Sequence, residues 1–484
     1  MSRFVVGIDL GTSNTALAFA DTSVTSANPD EAFVAALPIA QVVAPGAVEE
    51  RPLLPSSIYI AAGTELAAGA LNLPWRAEDK VAVGAFAREQ GTKIPGRYIH
   101  SAKSWLCVAG LDPQAPLLPP GTTEEDAKRS PVAAAGLVLK HLIESWNHTM
   151  ADGDAALALT EQEVTLCVPA SFDAGARNLT VGAAQALGFK HLSLLEEPQA
   201  AFHSWLESVG GGWRKKVSVG DLVLVVDVGG GTSDFSLIAV EEKDGSLELR
   251  RIAVGEHILL GGDNMDLALA YGVAQRLEKE RGKAIEPWQM ALLTQQCRAG
   301  KEALLSDPAL ESWPIALLGR GSSVIGGTIK TELPRAGLEQ FLVDGFFPLC
   351  GQDEAPIKAR RAGFREVGLP YAADPAITRH LAGFLAQQAA ATGKPMLPTA
   401  VLFNGGVFRA DALRARVMAA LASWAKAAGV PAPPNWIAPI LISRLRAGRP
   451  ITGSRGAGKA CAFAPEARGR TTSASNPPRP RCPA

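Results

Sequence analysis

Asp9 and Asp227 stand 218 residues apart in nearly the same setting, Gly7-Ile8-Asp9-Leu10-Gly11-Thr12-Ser13-Asn14 and Val226-Asp227-Val228-Gly229-Gly230-Gly231-Thr232-Ser233-Asp234. Glycines lack Cβ, so a turn built from them brings its backbone N–H groups close to a ligand, the usual way of holding phosphate oxygens. Thr and Ser add hydroxyl donors. A carboxylate beside such a turn repels phosphate unless a cation intervenes, and Mg²⁺ suits that place because it takes hard oxygen ligands, keeps several waters and bridges to phosphates. Two such turns facing each other would clamp a polyphosphate and its metal from both sides. One turn alone is as well explained by an ordinary β-hairpin, where Gly and Asp are common. The matched pair favours the phosphate site.

The elements that must position these residues are legible around them. The apolar runs Phe4–Ile8 and Leu222–Val226 predict buried strands entering the two turns, and Ala16–Phe19 and Phe235–Ile238 predict strands leaving them. With 484 residues, 47% hydrophobic and 20% charged, the chain is globular and long enough for two or three domains. No apolar run reaches the roughly 18 residues of a membrane span, and only five apolar residues precede Asp9, so neither anchor nor signal peptide is expected and a cytoplasmic location is. Six scattered cysteines (Cys107, Cys167, Cys297, Cys350, Cys461, Cys482) without a C-x-x-C pair predict reduced thiols rather than zinc or disulfides. The net charge of −1 hides 38 basic against 47 acidic residues in 1–443, a balance that disfavours nucleic acid as a partner. Trp213-Arg214-Lys215-Lys216 reads as a solvated loop.

On these motifs and several more, the chain resembles the nucleotide-binding domain of the 70-kDa heat-shock (DnaK-like) chaperone family, within the actin, sugar-kinase and heat-shock ATPase superfamily. Beyond the two phosphate loops, the resemblance rests on Val164–Phe172 with Arg177, Leu194-Leu195-Glu196-Glu197-Pro198-Gln199-Ala200-Ala201, and Leu260-Gly261-Gly262-Asp263-Asn264-Met265-Asp266. Thr331–Arg335 and Val401-Leu402-Phe403-Asn404-Gly405-Gly406-Val407 complete it, so that it runs from Phe4 to about Arg416. It implies an α/β fold of two actin-like lobes, each a ribonuclease-H-like mixed five-stranded sheet flanked by helices, with ATP or ADP in the cleft between them. The expected boundaries are residues 1–210, 211–442 and a tail of 443–484. Lobe rotation is then the natural switch, since a ligand held from both sides favours the closed state.

The resemblance also implies roles. Asp9 and Asp227 would hold Mg²⁺ largely through its waters, and Gly11, Thr12, Ser13, Asn14, Gly229, Gly230, Gly231 and Thr232 would cradle the phosphates. Lys103 resembles the lysine that reaches the γ-phosphate and Glu197 the carboxylate that orients the attacking water, while Glu196 replaces an amide and is given no role. Pro169 and Arg177 resemble a relay between nucleotide and outer surface. Gly261, Gly262, Lys301, Gly405, Gly406 and Arg409 fall on the nucleoside side, where Glu302 and Val407 stand in place of the Arg and Ser of better-known members. Slow ATP hydrolysis by a chaperone-type domain is the implied function, with co-chaperones or nucleotide-exchange factors as partners. A sugar or metabolite kinase of the same superfamily and an inactive truncated member are the alternatives; a filament protein is a further one.

After the predicted helix Ala410–Ala427, the family's site-closing Ala-x-Gly-Ala-Ala segment is not found, and nine basic residues against one acidic in 444–484 suggest a disordered basic tail. A shifted reading frame also accounts for it: codons for Ala-Tyr-Tyr-Gly read one base late give Pro450-Ile451-Thr452-Gly453. No β-sandwich or helical lid for unfolded clients is recognised in these residues.

Overall fold

The computed structural model describes residues 2–24, 32–63, 65–78, 80–108, 110–209, 215–243, 246–317, 328–357, 369–393, 395–437, 451–453 and 462–463. Within them, the strands that flank the two turns open two mixed sheets of the same design. The first contains β1 (Phe4–Leu10), β2 (Asn14–Asp21), β3 (Ala32–Ala36), β4 (Glu163–Val168) and β5 (His191–Glu196), in the order β5-β4-β1-β2-β3. The second contains β6 (Leu222–Val228), β7 (Ser233–Lys243), β8 (Ser246–Val254), β9 (Ala400–Asn404) and β10 (Asn435–Ile437), in the order β10-β9-β6-β7-β8. In each, the central strand pairs parallel with one neighbour, which pairs parallel with the edge, and antiparallel with the strand after the turn. The duplication read from two short motifs therefore extends to strand order and direction.

Register carries the likeness to single residues. Asp9 lies opposite Cys167 on β4 and Ala16 on β2, while Asp227 lies opposite Asn404 on β9 and Asp234 on β7. Directly paired residues share a sheet face, so Asp227, Asn404 and Asp234 project together. β1 alternates buried Phe4, Val6, Ile8 and Leu10 with exposed Val5, Gly7 and Asp9, the two-residue period of a half-buried strand. Val223–Val226 of β6 are buried on both faces, as their unbroken apolar run requires.

Helices close the sheets. α1 (Ala85–Lys93) carries Arg88, and α2 (Pro131–Trp146) starts from a Ser130 side chain that accepts the Ala133 N–H with Pro131 in the first turn. α2 lays Val138, Leu142 and Trp146 against Phe4, Val6 and Ile8, with Phe4, Phe19 and Trp146 meeting edge to face. α3 (Ala174–Ala186), capped by Asp173, links β4 to β5, and α4 (Glu197–Val209) follows β5 directly. On the second sheet, α5 (Gly262–Arg281), α6 (Pro287–Ser306), α7 (Arg335–Phe346), α8 (Ile377–Thr392) and α9 (Asp411–Ala427) build the largest core, with Leu413, Val417 and Leu421 of α9 buried as predicted. Of the tail, Ile451–Gly453 pairs with β3 and Ala462–Phe463 with β8; its other residues from 454 on, and 438–450, lie outside the described ones. Lys215 and Lys216 are exposed, as expected of a solvated loop, whereas Trp213 and Arg214 fall outside. Cys107, Cys167, Cys297 and Cys350 are free thiols. No described helix is long and apolar enough to cross a membrane.

One buried charge before α8 predicts an acid sensitivity. Asp374 is fully buried, and its two oxygens accept from the Arg379 guanidinium (2.8 Å each), the Ile357 N–H (2.8 Å) and the Ala376 N–H (2.9 Å). Burial pushes its carboxyl up, but these donors outweigh burial and hold it down to about 2. A lowered carboxyl contributes stability that is complete above the unfolded value near 4 and is lost as pH falls towards about 2, here about 2 kcal/mol. Urea unfolding as a function of pH should show wild type losing that much more than Asp374→Asn across this range; parallel curves would contradict it.

Candidate functional site

The two glycine turns meet. A Cβ placed on Gly230 would lie 1.8 Å from Ser13 Oγ and 2.9 Å from Ser13 Cβ, so only glycine allows this approach. Each turn is braced from behind. Ser56 Oγ donates to Gly11 O (2.7 Å), and one Arg88 amine of α1 donates to Ser13 O (2.8 Å) and Asn14 Oδ1 (2.9 Å). Behind the second turn, the Gly262 and Asp263 N–H groups at the start of α5 donate to Gly229 O (3.0 Å) and Gly230 O (2.7 Å). Gly230→Val is expected to force the turns apart and destabilise the fold by roughly 1–3 kcal/mol, the cost of overpacking a close contact. Urea unfolding within about 0.5 kcal/mol of wild type, as for a neutral surface change, would show that the contact is dispensable.

Four carboxylates and one ammonium gather at this junction. Lys103 sits in a 3-10 turn (Ala102–Cys107), reached through Ser101 in the left-handed region (φ 52°), and its Nζ lies 2.5 Å from Glu197 Oε1 at the start of α4. Asn404 Nδ2 donates to Asp227 Oδ2 at 2.7 Å. Asp9 keeps an exposed face, although protein crowds its other sides. Burial pushes the Asp9 carboxyl up against the pull of Lys103. Glu197 is likewise raised by burial, with Lys103 opposing and Asp9 and Asp234 adding. Asp227 is raised well above the usual carboxylate range by burial and by Glu197, with Asn404 opposing and Asp234 and Asp9 adding. Burial alone would lower Lys103, but Glu197 and Asp9 together outweigh it and its ammonium is held up. The site thus gathers more carboxyl groups than cations and several hard oxygen donors, which fits a hydrated divalent cation. No three His, Cys, Asp or Glu side chains among the described residues are placed to ligate an ion together.

Glu196, given no role from sequence, is buried between two arginines. Its Oε1 accepts from Arg177 Nη2 at 2.7 Å and its Oε2 pairs with Arg251 of β8, so it ties α3 to the second sheet. Arg177 also donates to Ala170 O (3.1 Å) and Phe172 O (3.0 Å), beside buried Pro169. The two neighbouring glutamates therefore differ sharply: Glu197 faces Lys103, and Glu196 serves the arginines.

Around α5 and α6, Lys301 is buried and donates to Gly262 O (2.9 Å) and Asp266 (2.7 Å). Burial carries the Asp266 carboxyl up to about 6 despite Lys301 and Arg298. Gly405 has φ 87° and so close an approach to Val228 O that a Cβ would stand 2.2 Å away, while Gly406 and Arg409 are exposed. Sequence reasoning did not single out Arg88, Arg298, Asp234, Ser171 or His257. Arg298 joins Asp263 (3.3 Å) to Glu302 (3.2 Å), and Ser101 Oγ donates across to Asp263 Oδ2 at 3.1 Å. Asp234 and Ser171 lie inside motifs already noted; His257 and Arg88 had no local signal. A cavity of ≈ 20 Å³, large enough for one water, lies beneath the first turn between Thr12, Lys103 and Cys167. A more open one of ≈ 400 Å³ beside Trp75 and His148 has no turn residue in its lining.

Comparison with known proteins reaches part of this region. Residues 124–347 match the family model described as Hsp70 protein. A chaperone protein HscA homolog of Burkholderia ambifaria (strain MC40-6) is 30% identical over 318 residues, covering 63% of this chain and 42% of that protein. Another, of Burkholderia pseudomallei (strain 668), is 29% identical over 310 residues with the same coverage. The match thus spans about two fifths of the length of these relatives.

Proposed function

This chain carries Hsp70-family sequence over residues 124–347, and on that premise we propose that it is an ATP-binding, ATP-hydrolysing domain of chaperone type. The observation that carries the proposal is the junction itself: two duplicated glycine turns in contact, with the Lys103–Glu197 pair and the Asp9 and Asp227 carboxylates beside them. The two sheets would form the lobes of an actin-like fold, with nucleotide entering as the turns separate.

Hydrolysis of a γ-phosphate rests on positioning and electrostatics. Backbone N–H groups of Gly11–Ser13 and Gly229–Gly231 would receive the phosphates, and Thr232 would add its hydroxyl. Mg²⁺ would supply positive charge to the phosphate oxygens, its waters held by Asp9 and Asp227. Lys103 would exchange Glu197 for a γ-oxygen, and Glu197, relieved of its partner, would accept a hydrogen bond from the attacking water. On the nucleoside side, Gly261, Gly262, Lys301, Gly405, Gly406 and Arg409 would contact base and ribose. Arg177 and Pro169, tied to Glu196 next to Glu197, would carry the state of the site to the outer surface, where co-chaperones or exchange factors would read it in the cytoplasm.

The decisive comparison offers purified protein ATP and Mg²⁺ without any acceptor. Phosphate release is expected; ADP formation that appears only on adding a sugar or other hydroxyl acceptor would instead assign a kinase.

A further inference from the structure

Three side chains from separate elements meet behind the second turn: Ser171 after β4, Asp234 at the start of β7, and His257 between β8 and α5. Ser171 Oγ hydrogen-bonds Asp234 Oδ1, and His257 Nδ1 lies 2.7 Å from Ser171 Oγ and 3.1 Å from Asp234 Oδ1. The imidazole stands edge-on to Phe172, with centroids 5.8 Å apart. Proton bookkeeping fixes the tautomer. Ser171 has one hydrogen, which goes to the carboxylate, so Nδ1 must carry its own hydrogen to meet two oxygens; a bare Nδ1 would set its lone pair against Asp234. Nε2 is buried and has no hydrogen-bond partner among the described residues.

Asp234 faces Asp227 across the β6–β7 pair. The Ser171 hydroxyl and the His257 ring both meet the same oxygen of Asp234, so together they fix the direction of its carboxyl group. We propose that His257 is a positioning residue for the hydrolysis proposed above: its Nδ1–H, with the Ser171 hydroxyl, holds the Asp234 carboxylate beside Asp227 and Glu197. The same contacts register the segment after β4 against the second hairpin. The inference rests on the ATPase reading of the site, and it adds a residue that no motif identified.

The test uses the full chain and three variants. His257→Phe removes the donor, His257→Gln moves an amide to the place of Nε2, and His257→Asn returns an N–H near Nδ1. His257→Phe and His257→Gln are expected to lower kcat for phosphate release about tenfold, the loss typical of one hydrogen bond to a charged group, with KM for ATP little changed. His257→Asn should recover most of that loss. Equal kcat in all variants, or His257→Asn falling as far as His257→Phe, would overturn the positioning role. Nitrogen NMR of the wild-type imidazole supplies a measurement independent of variant folding: an Nδ1–H tautomer is expected, and an Nε2–H tautomer would overturn the inference. A wild type that releases no phosphate overturns the ATPase reading and this inference with it, whereas turnover retained in His257→Phe overturns this inference alone.

Discussion

Lys103→Ala is expected to slow phosphate release about 10²–10³-fold, as removal of one preorganised group at a developing charge does, while ATP affinity changes only a few-fold. The reason lies in the charge count. Lys103 is the cation that acts on both the Glu197 and the Asp9 carboxyls, and its Nζ lies 2.5 Å from Glu197. Without it, two carboxyls already raised by burial lose the charge that opposes burial, so both move further up. The acid limb of the residual activity should then shift to higher pH. Single-turnover measurements separate the chemical step from binding and product release; a single-turnover rate within threefold of wild type would remove Lys103 from the mechanism.

Glu196→Ala is expected to destabilise the fold by about 1.5–3 kcal/mol, the usual worth of hydrogen bonds to a charged group. Two guanidinium groups, Arg177 and Arg251, would be left facing the space that one carboxylate now fills. Their side chains are 27% and 19% exposed, so water reaches them in part and the lower end of that range is the expectation. Glu196→Gln keeps the shape and one acceptor and should cost less. Urea unfolding at neutral pH is the check: a loss under 1 kcal/mol for Glu196→Ala would mean that the arginines' other contacts suffice without the carboxylate. Because Glu196 adjoins Glu197 and binds Arg177, proposed above as a relay, this substitution should also lower turnover.

Sequence carried much of the site because the relevant signals are local. An apolar strand, an Asp, glycines and hydroxyls occur within about ten residues, and both copies fold as the hairpins they predict. Lys103 and Glu197 were legible only through resemblance, and the structure brings them together across 94 residues. Long-range partners were not legible. Arg88 reaches Ser13 over 75 residues and Ser101 reaches Asp263 over 162, with no periodicity or motif at one end to announce the other. Glu196 shows a further limit: its neighbour's role was assigned while its own depended on Arg251, a residue on the other sheet. Glycine roles were half legible. Gly230 and Gly405 were expected to make room for ligand, yet both are also required by protein contacts, with Ser13 and Val228.

The most direct measurement is calorimetric titration of the purified chain with ATP in the presence of Mg²⁺, alongside Asp9→Ala. The account predicts saturable binding at or below millimolar ATP in wild type and a marked loss in Asp9→Ala, because the proposed site needs both turns and a Mg²⁺ together. Absence of binding in wild type up to millimolar ATP would contradict it.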